Sequence, residues 1–161
     1  MMWWKKDDID FWSSSIKENK STKILELCCG TGRIGLPLID QGLDYYGIDS
    51  SKNFVKHFKS KVTDSNYSLS HIKTADIRKF NINQTFDFIF IGFNSLAHLL
   101  TNKDLMACFH SLKNHMHKNT IFAIDIFVPS PSFLYRDDKN KFNMMDFIYS
   151  KTNEKIDIIE S

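Results

Sequence analysis

The chain has 161 residues, 42% of them hydrophobic and 25% charged, with a formal net charge of +2. That composition suits one globular domain long enough to bury a core, and the charge is too small to single out nucleic acid or an anionic membrane as a partner. No apolar run approaches the roughly 18 residues that span a bilayer, and three cysteines (Cys28, Cys29, Cys108) make neither a disulfide framework nor a zinc set.

At the N-terminus, MMWW runs straight into KKDDID, so no signal-peptide core is expected. Reduced thiols and a cytoplasmic location follow as expectations. The segment DIDFWSSSIKENK reads as a short amphipathic helix or arm, with Phe11, Trp12 and Ile16 able to share one face. KILELC is a first, buried strand. RIGLPLIDQG has helical apolar spacing and closes on Gly42, a C-cap residue, while Pro37 predicts a distorted first turn. DYYGID is a second strand, and Ser50 or Ser51 can cap the helix KNFVKHFKSKV.

Further along, YSLSHIKTAD reads as a third strand and FDFIFIG as a fourth, apolar almost throughout and so covered on both faces. NKDLMACFHSLKNHMHKN is a long helix that would carry His110, His115 and His117 on a polar face, and TIFAIDIFV a fifth strand. Strands alternating with helices predict an α/β, doubly wound, mostly parallel sheet. After Val128 the rhythm stops. PSPSFLYRDDKNK is a loop, and FNMMDFIYS and EKIDIIES are two strands with no helix between them, expected to pair antiparallel as a C-terminal extension. Tyr135 and Lys139 match a Tyr-x-x-x-Lys pair, which works only one turn apart on a helix, and this loop context discounts it.

In a doubly wound sheet the ligand lies beyond the carboxyl ends of the strands. That rim collects Gly30 to Gly35, Asp49, Asp76 and Phe93–Asn94, each after a different strand. Gly30, Gly32 and Gly35 spell G-x-G-x-x-G, the dinucleotide fingerprint. Glu26 argues against a pyrophosphate, because a carboxylate inside the strand end repels phosphate and suits a cationic ligand. Arg33 at the helix start opposes the macrodipole; it tolerates a ligand carboxylate or points to solvent. Asp49, 19 residues after Gly30, can accept both hydroxyls of a ribose in either kind of site.

Acid then glycine turn, here LELCCGTGR, resembles motif I of the class I S-adenosylmethionine (SAM)-dependent methyltransferases, with Cys28 where that motif often has glycine. By this resemblance the turn Cys28–Gly32 lies along the methionine and ribose of SAM, and Glu26 supports the turn or meets the ammonium. TADIRKF resembles the family's segment in which an acid, here Asp76, accepts from the adenine amino group with Ile77 against the ring. FDFIFIGFNSLAHL resembles motif IV of the small-molecule branch, which passes beside the sulfonium. FNSL departs from the Asn/Asp-Pro-Pro-aromatic box of enzymes that methylate DNA bases, against a nucleic-acid substrate.

The resemblance implies a Rossmann-like sheet in the order 3-2-1-4-5 and SAM as cofactor. It implies cofactor-binding roles for Glu26, Cys28, Gly30, Gly32, Arg33, Asp49, Ser50, Asp76, Ile77, Phe93 and Asn94. No metal is implied. His98 is the one candidate base, against its reading as a structural histidine, and Trp12 either covers the cofactor mouth or packs the arm. One domain is expected over 1–161: an arm at 1–20, a cofactor-binding core at 21–128, and a loop and β-hairpin extension at 129–161.

The family's sheet ends in strands ordered 7-6. The last residues either supply that hairpin or form an insertion after strand five, and the missing helix before them favours the insertion, so the chain reads as truncated. Strand five would then be an exposed edge, covered by the tail or by a second copy. The expected function is SAM-dependent methyl transfer to a small molecule. A vestigial SAM-binding protein and an NAD(P)-dependent oxidoreductase stand as alternatives.

Overall fold

A helix, α1 (Asp7–Glu18), precedes an alternation of strands and helices: β1 (Lys23–Leu27), α2 (Gly35–Asp40), β2 (Asp44–Asp49), α3 (Lys52–Lys59), β3 (Ser70–Thr74), β4 (Phe86–Ile91), α4 (Asn102–Lys113) and β5 (Met116–Ile124). The structure, a computed structural model, describes residues 7–129, 131–135, 142–149 and 152–160. The chain divides into two compact units, Met1–Ile126 and Phe127–Ser161.

In the first unit the five strands form one sheet in the order β3-β2-β1-β4-β5, every pair parallel. Side chains alternate across a strand, and here the alternation builds two cores. Ile24, Phe88 and Phe90 face α1, α2 and α3 through Trp12, Ile16, Leu38, Ile39, Val55 and Phe58. Leu25, Leu27, Ile89 and Ile91 face α4 through Cys108 and Leu112. β1 and β4 are therefore covered on both faces, which is why their sequences are nearly unbroken apolar runs. The strand order reverses between them, so the crevice at their carboxyl ends is where this topology places a ligand.

Several expected elements shift. Of the three residues expected to share a face of α1, Trp12 and Ile16 bury, each 1% exposed, whereas Phe11 points outward at 58%. Trp12 stacks on Phe90 (ring centroids 4.6 Å apart) as a core residue. Regular helix begins at Gly35, so Pro37 is the third residue of α2. A missing N–H is tolerated at that position, and the backbone around it is irregular: the Leu36 N–H reaches the Gly32 carbonyl at 3.0 Å and the Leu38 N–H the Ile34 carbonyl at 3.4 Å. Gly42 does close the helix, at φ +82°.

Tyr67–Leu69 belong to a 3₁₀ turn (Asp64–Leu69) rather than to the third strand. Local bonds, Asn66 N–H to the Thr63 carbonyl and the Ser70 hydroxyl to the Tyr67 carbonyl, compete there with the sheet ladder. The long helix also ends early, at Lys113, and β5 starts at Met116 instead of Thr120. His115 is the reason. It is 1% exposed, its Nε2 accepts the Ile82 N–H at 3.0 Å, and its Nδ1 meets the Ser111 carbonyl at 2.8 Å. His117 lies on β5 and pairs with Asp87 at 3.3 Å. Neither histidine is on the helix.

The second unit holds a helical turn at Pro131–Leu134 and an antiparallel hairpin, β6 (Phe142–Tyr149) with β7 (Glu154–Glu160), as the sequence predicts. Arg136–Lys139, the rest of the Tyr-x-x-x-Lys segment, lies outside the described residues.

Candidate cofactor cleft at the strand ends

The loop after β1 needs left-handed backbone at three points, Cys28 (φ +63°), Gly30 (φ +55°) and Gly32 (φ +83°). The two glycines serve different ends. A Cβ on Gly32 would sit 2.3 Å from the Phe58 ring, whereas one on Gly30 would meet nothing within 4 Å. Gly32 thus lets the turn close onto α3, and Gly30 keeps a space open. Cys28 adopts the same region with a side chain, at some local cost.

Asp49 at the end of β2 holds this turn. Its Oδ2 accepts the Gly30 N–H at 2.9 Å and its Oδ1 the Ser51 N–H at 2.8 Å. Ser51, not Ser50, then caps α3 by accepting the Phe54 N–H. Glu26, 4% exposed on β1, accepts a short hydrogen bond from the Tyr45 hydroxyl. Burial pushes its carboxyl up to about 8, so at pH 7 it is protonated rather than the carboxylate the sequence suggests. Cys28 is likewise pushed up to about 12 by burial, which makes it an inert thiol.

Arg33 does not point to solvent. Its guanidinium makes two bonds to Asp8 of α1, at 2.8 and 2.6 Å, and lies over the Phe93 ring at 5.3 Å. Across the cleft, Arg78 binds both oxygens of Asp76 and reaches Asp104 of α4 at 2.8 Å. Hydrogen bonds from Arg78 hold the Asp76 carboxyl below its ordinary value, so it stays ionised. Phe93 and Asn94 are both left-handed, φ +56°. Asp125 anchors this corner: its Oδ2 accepts the Phe93 N–H at 3.0 Å and its carbonyl the Asn94 N–H.

These pieces surround one cleft of about 900 Å³. Of the residues singled out from sequence, Glu26, Cys28, Gly30, Arg33, Asp49, Ser50, Asp76, Ile77, Phe93 and His98 line it. Gly32 and Asn94 do not line it: Gly32 lies against Phe58, and the Asn94 N–H bonds the Asp125 carbonyl. His98 is an exposed rim residue on a 3₁₀ turn (Ser95–His98) rather than a structural histidine. Arg78, Asp104, Phe54 and Leu99 also line the cleft and escaped the sequence reading. Arg78 stands two residues from Asp76, a spacing that could have flagged the pair.

The chain matches the methyltransferase domain family over residues 24–119. It is 30% identical over 120 residues to the methyltransferase-family protein YqeM of Bacillus subtilis (strain 168), covering 73% of this chain and 48% of that protein. A crystal structure of an S-adenosylmethionine-dependent methyltransferase from Clostridium acetobutylicum ATCC 824 superposes with a TM-score of 0.70 at 27% identity, over 86% of this chain and 56% of that one. The SAM-bound amino pentose methyltransferase from Micromonospora echinaspora shares the fold, with a TM-score of 0.69 at 16% identity over 85% of this chain and 56% of that one. The chain spans about half the length of these relatives. With acid, glycine turn, Asp49 and Asp76 on successive strand ends of a 3-2-1-4-5 sheet, the chain belongs to the class I SAM-dependent methyltransferase family.

Proposed function

We propose that this cleft binds SAM and that the protein transfers its methyl group to a small molecule. The observation that carries the reading is the charge of the cleft: Asp49, Asp76 and Asp104 line it against two guanidinium groups, each already paired with acids, while the buried Glu26 adds a carboxyl that a ligand cation can ionise. Such a lining disfavours a pyrophosphate and suits an adenosyl ligand with an ammonium and a sulfonium. The open space at Gly30 leaves room for a ligand against the backbone. Among the alternatives, the family match speaks against the oxidoreductase.

SAM supplies an electrophilic methyl group. What the chain contributes is alignment and exclusion of water. Asp49 has lone pairs left for ribose hydroxyls, Asp76 and Ile77 would take the adenine, and Glu26, Cys28, Gly30 and Arg33 the methionine portion. The Phe93–Asn94 corner would border the reacting centre. His98, exposed at the rim, is placed to accept a proton from a substrate nucleophile that must lose one. The amino pentose substrate named for one neighbour and the absence of a Pro-Pro box after Asn94 support a small-molecule acceptor over nucleic acid.

We read residues 1–20 as an arm, 21–128 as the cofactor core and 129–161 as a β extension. The free thiols Cys28, Cys29 and Cys108 favour the cytoplasm, and among the described residues no helix is long and apolar enough to cross a membrane. Among the described residues β5 is the last strand of its sheet, so a second copy would cover that edge. Light scattering showing a clean monomer with a protease-labile tail past Pro129 would overturn this pairing. The central test is calorimetry with S-adenosylhomocysteine (SAH), SAM, NAD and NADP. Binding of SAH and SAM alone is expected; binding of NAD alone reverses the reading.

A further inference from the structure

Tyr45 is fully buried on β2, and its environment admits this ring and little else. A Cβ on Gly35 of α2 would come within 2.5 Å of the Tyr45 hydroxyl oxygen, and one on Gly47 within 2.9 Å of its ring. Phe58 of α3 packs against the ring with centroids 5.8 Å apart. Two glycines on different elements thus clear the space that holds the phenol in one place. Its single O–H donor is spent on Glu26 Oε2. Among the described residues that is the one hydrogen bond to the Glu26 carboxyl, which also lines the cleft.

The groups facing Glu26 are few. Arg33, on the turn, favours its charged form, while Asp49 of β2 and Asp8 of α1 oppose it. Cys28 and Cys29 are neutral thiols, and its register partner on β4 is Phe90. Because Arg33 is paired with Asp8, Glu26 has no ion-pair partner of its own among the described residues.

We propose that Tyr45 is a positioning residue that holds the Glu26 carboxyl as the buried receptor for a ligand ammonium group, and that binding this ammonium expels the Glu26 proton to solvent. The balance is simple: a neutral carboxylic acid and an ammonium ligand become a carboxylate–ammonium pair and one released proton. The Tyr45 hydroxyl donates in both states and bonds the carboxylate more strongly, so it lowers the cost of the ionised form. This rests on the SAM reading and adds to it a proton-coupled affinity. With Glu26 pushed up to about 8 by burial, SAH affinity climbs with pH toward that value and levels above it.

The test is calorimetry at pH 7 in buffers of different ionisation enthalpy, with SAH and with 5′-methylthioadenosine, which keeps the adenosyl group and lacks the ammonium. For the unaltered protein we expect close to one proton released per SAH and none per 5′-methylthioadenosine. Glu26→Gln should abolish the release. Tyr45→Phe should weaken SAH about tenfold, the scale of one hydrogen bond to a charged group, and move the plateau of affinity to higher pH. A merely structural Tyr45 would change the melting temperature and leave that pH profile in place, which overturns the proposal. Equal proton release by the unaltered protein and Glu26→Gln also overturns it, and decides the matter even if Tyr45→Phe does not fold. No binding of SAH at all overturns the SAM reading itself, whereas binding without proton release overturns only this inference.

Discussion

Asp49 Oδ2 accepts the backbone N–H of Gly30 at 2.9 Å, joining the end of β2 to the turn that follows β1. Its other oxygen holds the Ser51 N–H at 2.8 Å, at the start of α3. One carboxylate therefore shapes two walls of the cleft before any ligand arrives. Asp49→Ala leaves both N–H groups without this acceptor and should lower stability by about 2–4 kcal/mol. Loss of SAH affinity should be on the order of 100-fold or more. Urea unfolding and calorimetry read the two effects separately. An alanine variant that unfolds at the same urea concentration would show that the turn stands without Asp49.

Gly30 and Gly32 should respond in opposite ways to alanine. At Gly32 the added Cβ would strike Phe58, fully buried and unable to yield freely, so Gly32→Ala should lower the melting temperature sharply. At Gly30 the Cβ meets open space and incurs only the left-handed backbone cost, about 1 kcal/mol. Its added methyl protrudes where the ligand should lie, so Gly30→Ala should keep most stability and lose SAH affinity. Thermal melts paired with calorimetry check the contrast, and equal melting losses would contradict it.

Glu26 makes stability depend on pH. A glutamate titrates near 4.5 when unperturbed and is pushed up to about 8 here. The folded form thus holds its proton more tightly than the unfolded chain does. The contribution is fully present below about 4.5 and is lost as pH rises through about 8, by at most about 1.4 kcal/mol per pH unit. Glu26→Gln removes this dependence. Its melting temperature relative to the unaltered protein should therefore improve steadily between pH 5 and 8. A constant gap across that range would rule the effect out.

Trp12 carries the one buried side-chain polar atom without a hydrogen-bond partner among the described residues, its indole Nε1. An orphaned buried donor costs about 1–3 kcal/mol. Trp12→Phe removes that donor while keeping a ring against Phe90 and Phe88, so it should change stability by less than about 1 kcal/mol. Trp12→Ala should cost about 3–5 kcal/mol. If phenylalanine proves as damaging as alanine, the indole N–H has a partner or a role not captured by packing.

What could be read from the chain was whatever local pattern determines. The doubly wound alternation follows from apolar runs with strand and helix periods, and the glycine turn from residues that must sit at positive φ. Asp49 and Asp76 could be placed at strand ends because each directly follows such a run. Boundaries failed where a distant partner decided them. The helix after Asn102 looked six residues longer because nothing in NHMHKN reveals that His115 turns inward to hold the Ile82 N–H.

Side-chain partners and charge states needed the folded molecule. Arg33 meets Asp8 from 25 residues away and Arg78 meets Asp104 from 26 away, so the cleft's cations are neutralised by elements that only packing brings near. Glu26 reads as a carboxylate in the sequence and becomes a neutral acid because β1 buries it beside Tyr45, a strand away. Spacing along the chain determined the family, the sheet and the acids of the rim. The tertiary structure alone decided which of those acids is charged, since desolvation and long-range pairing depend on what surrounds a residue and not on what precedes it.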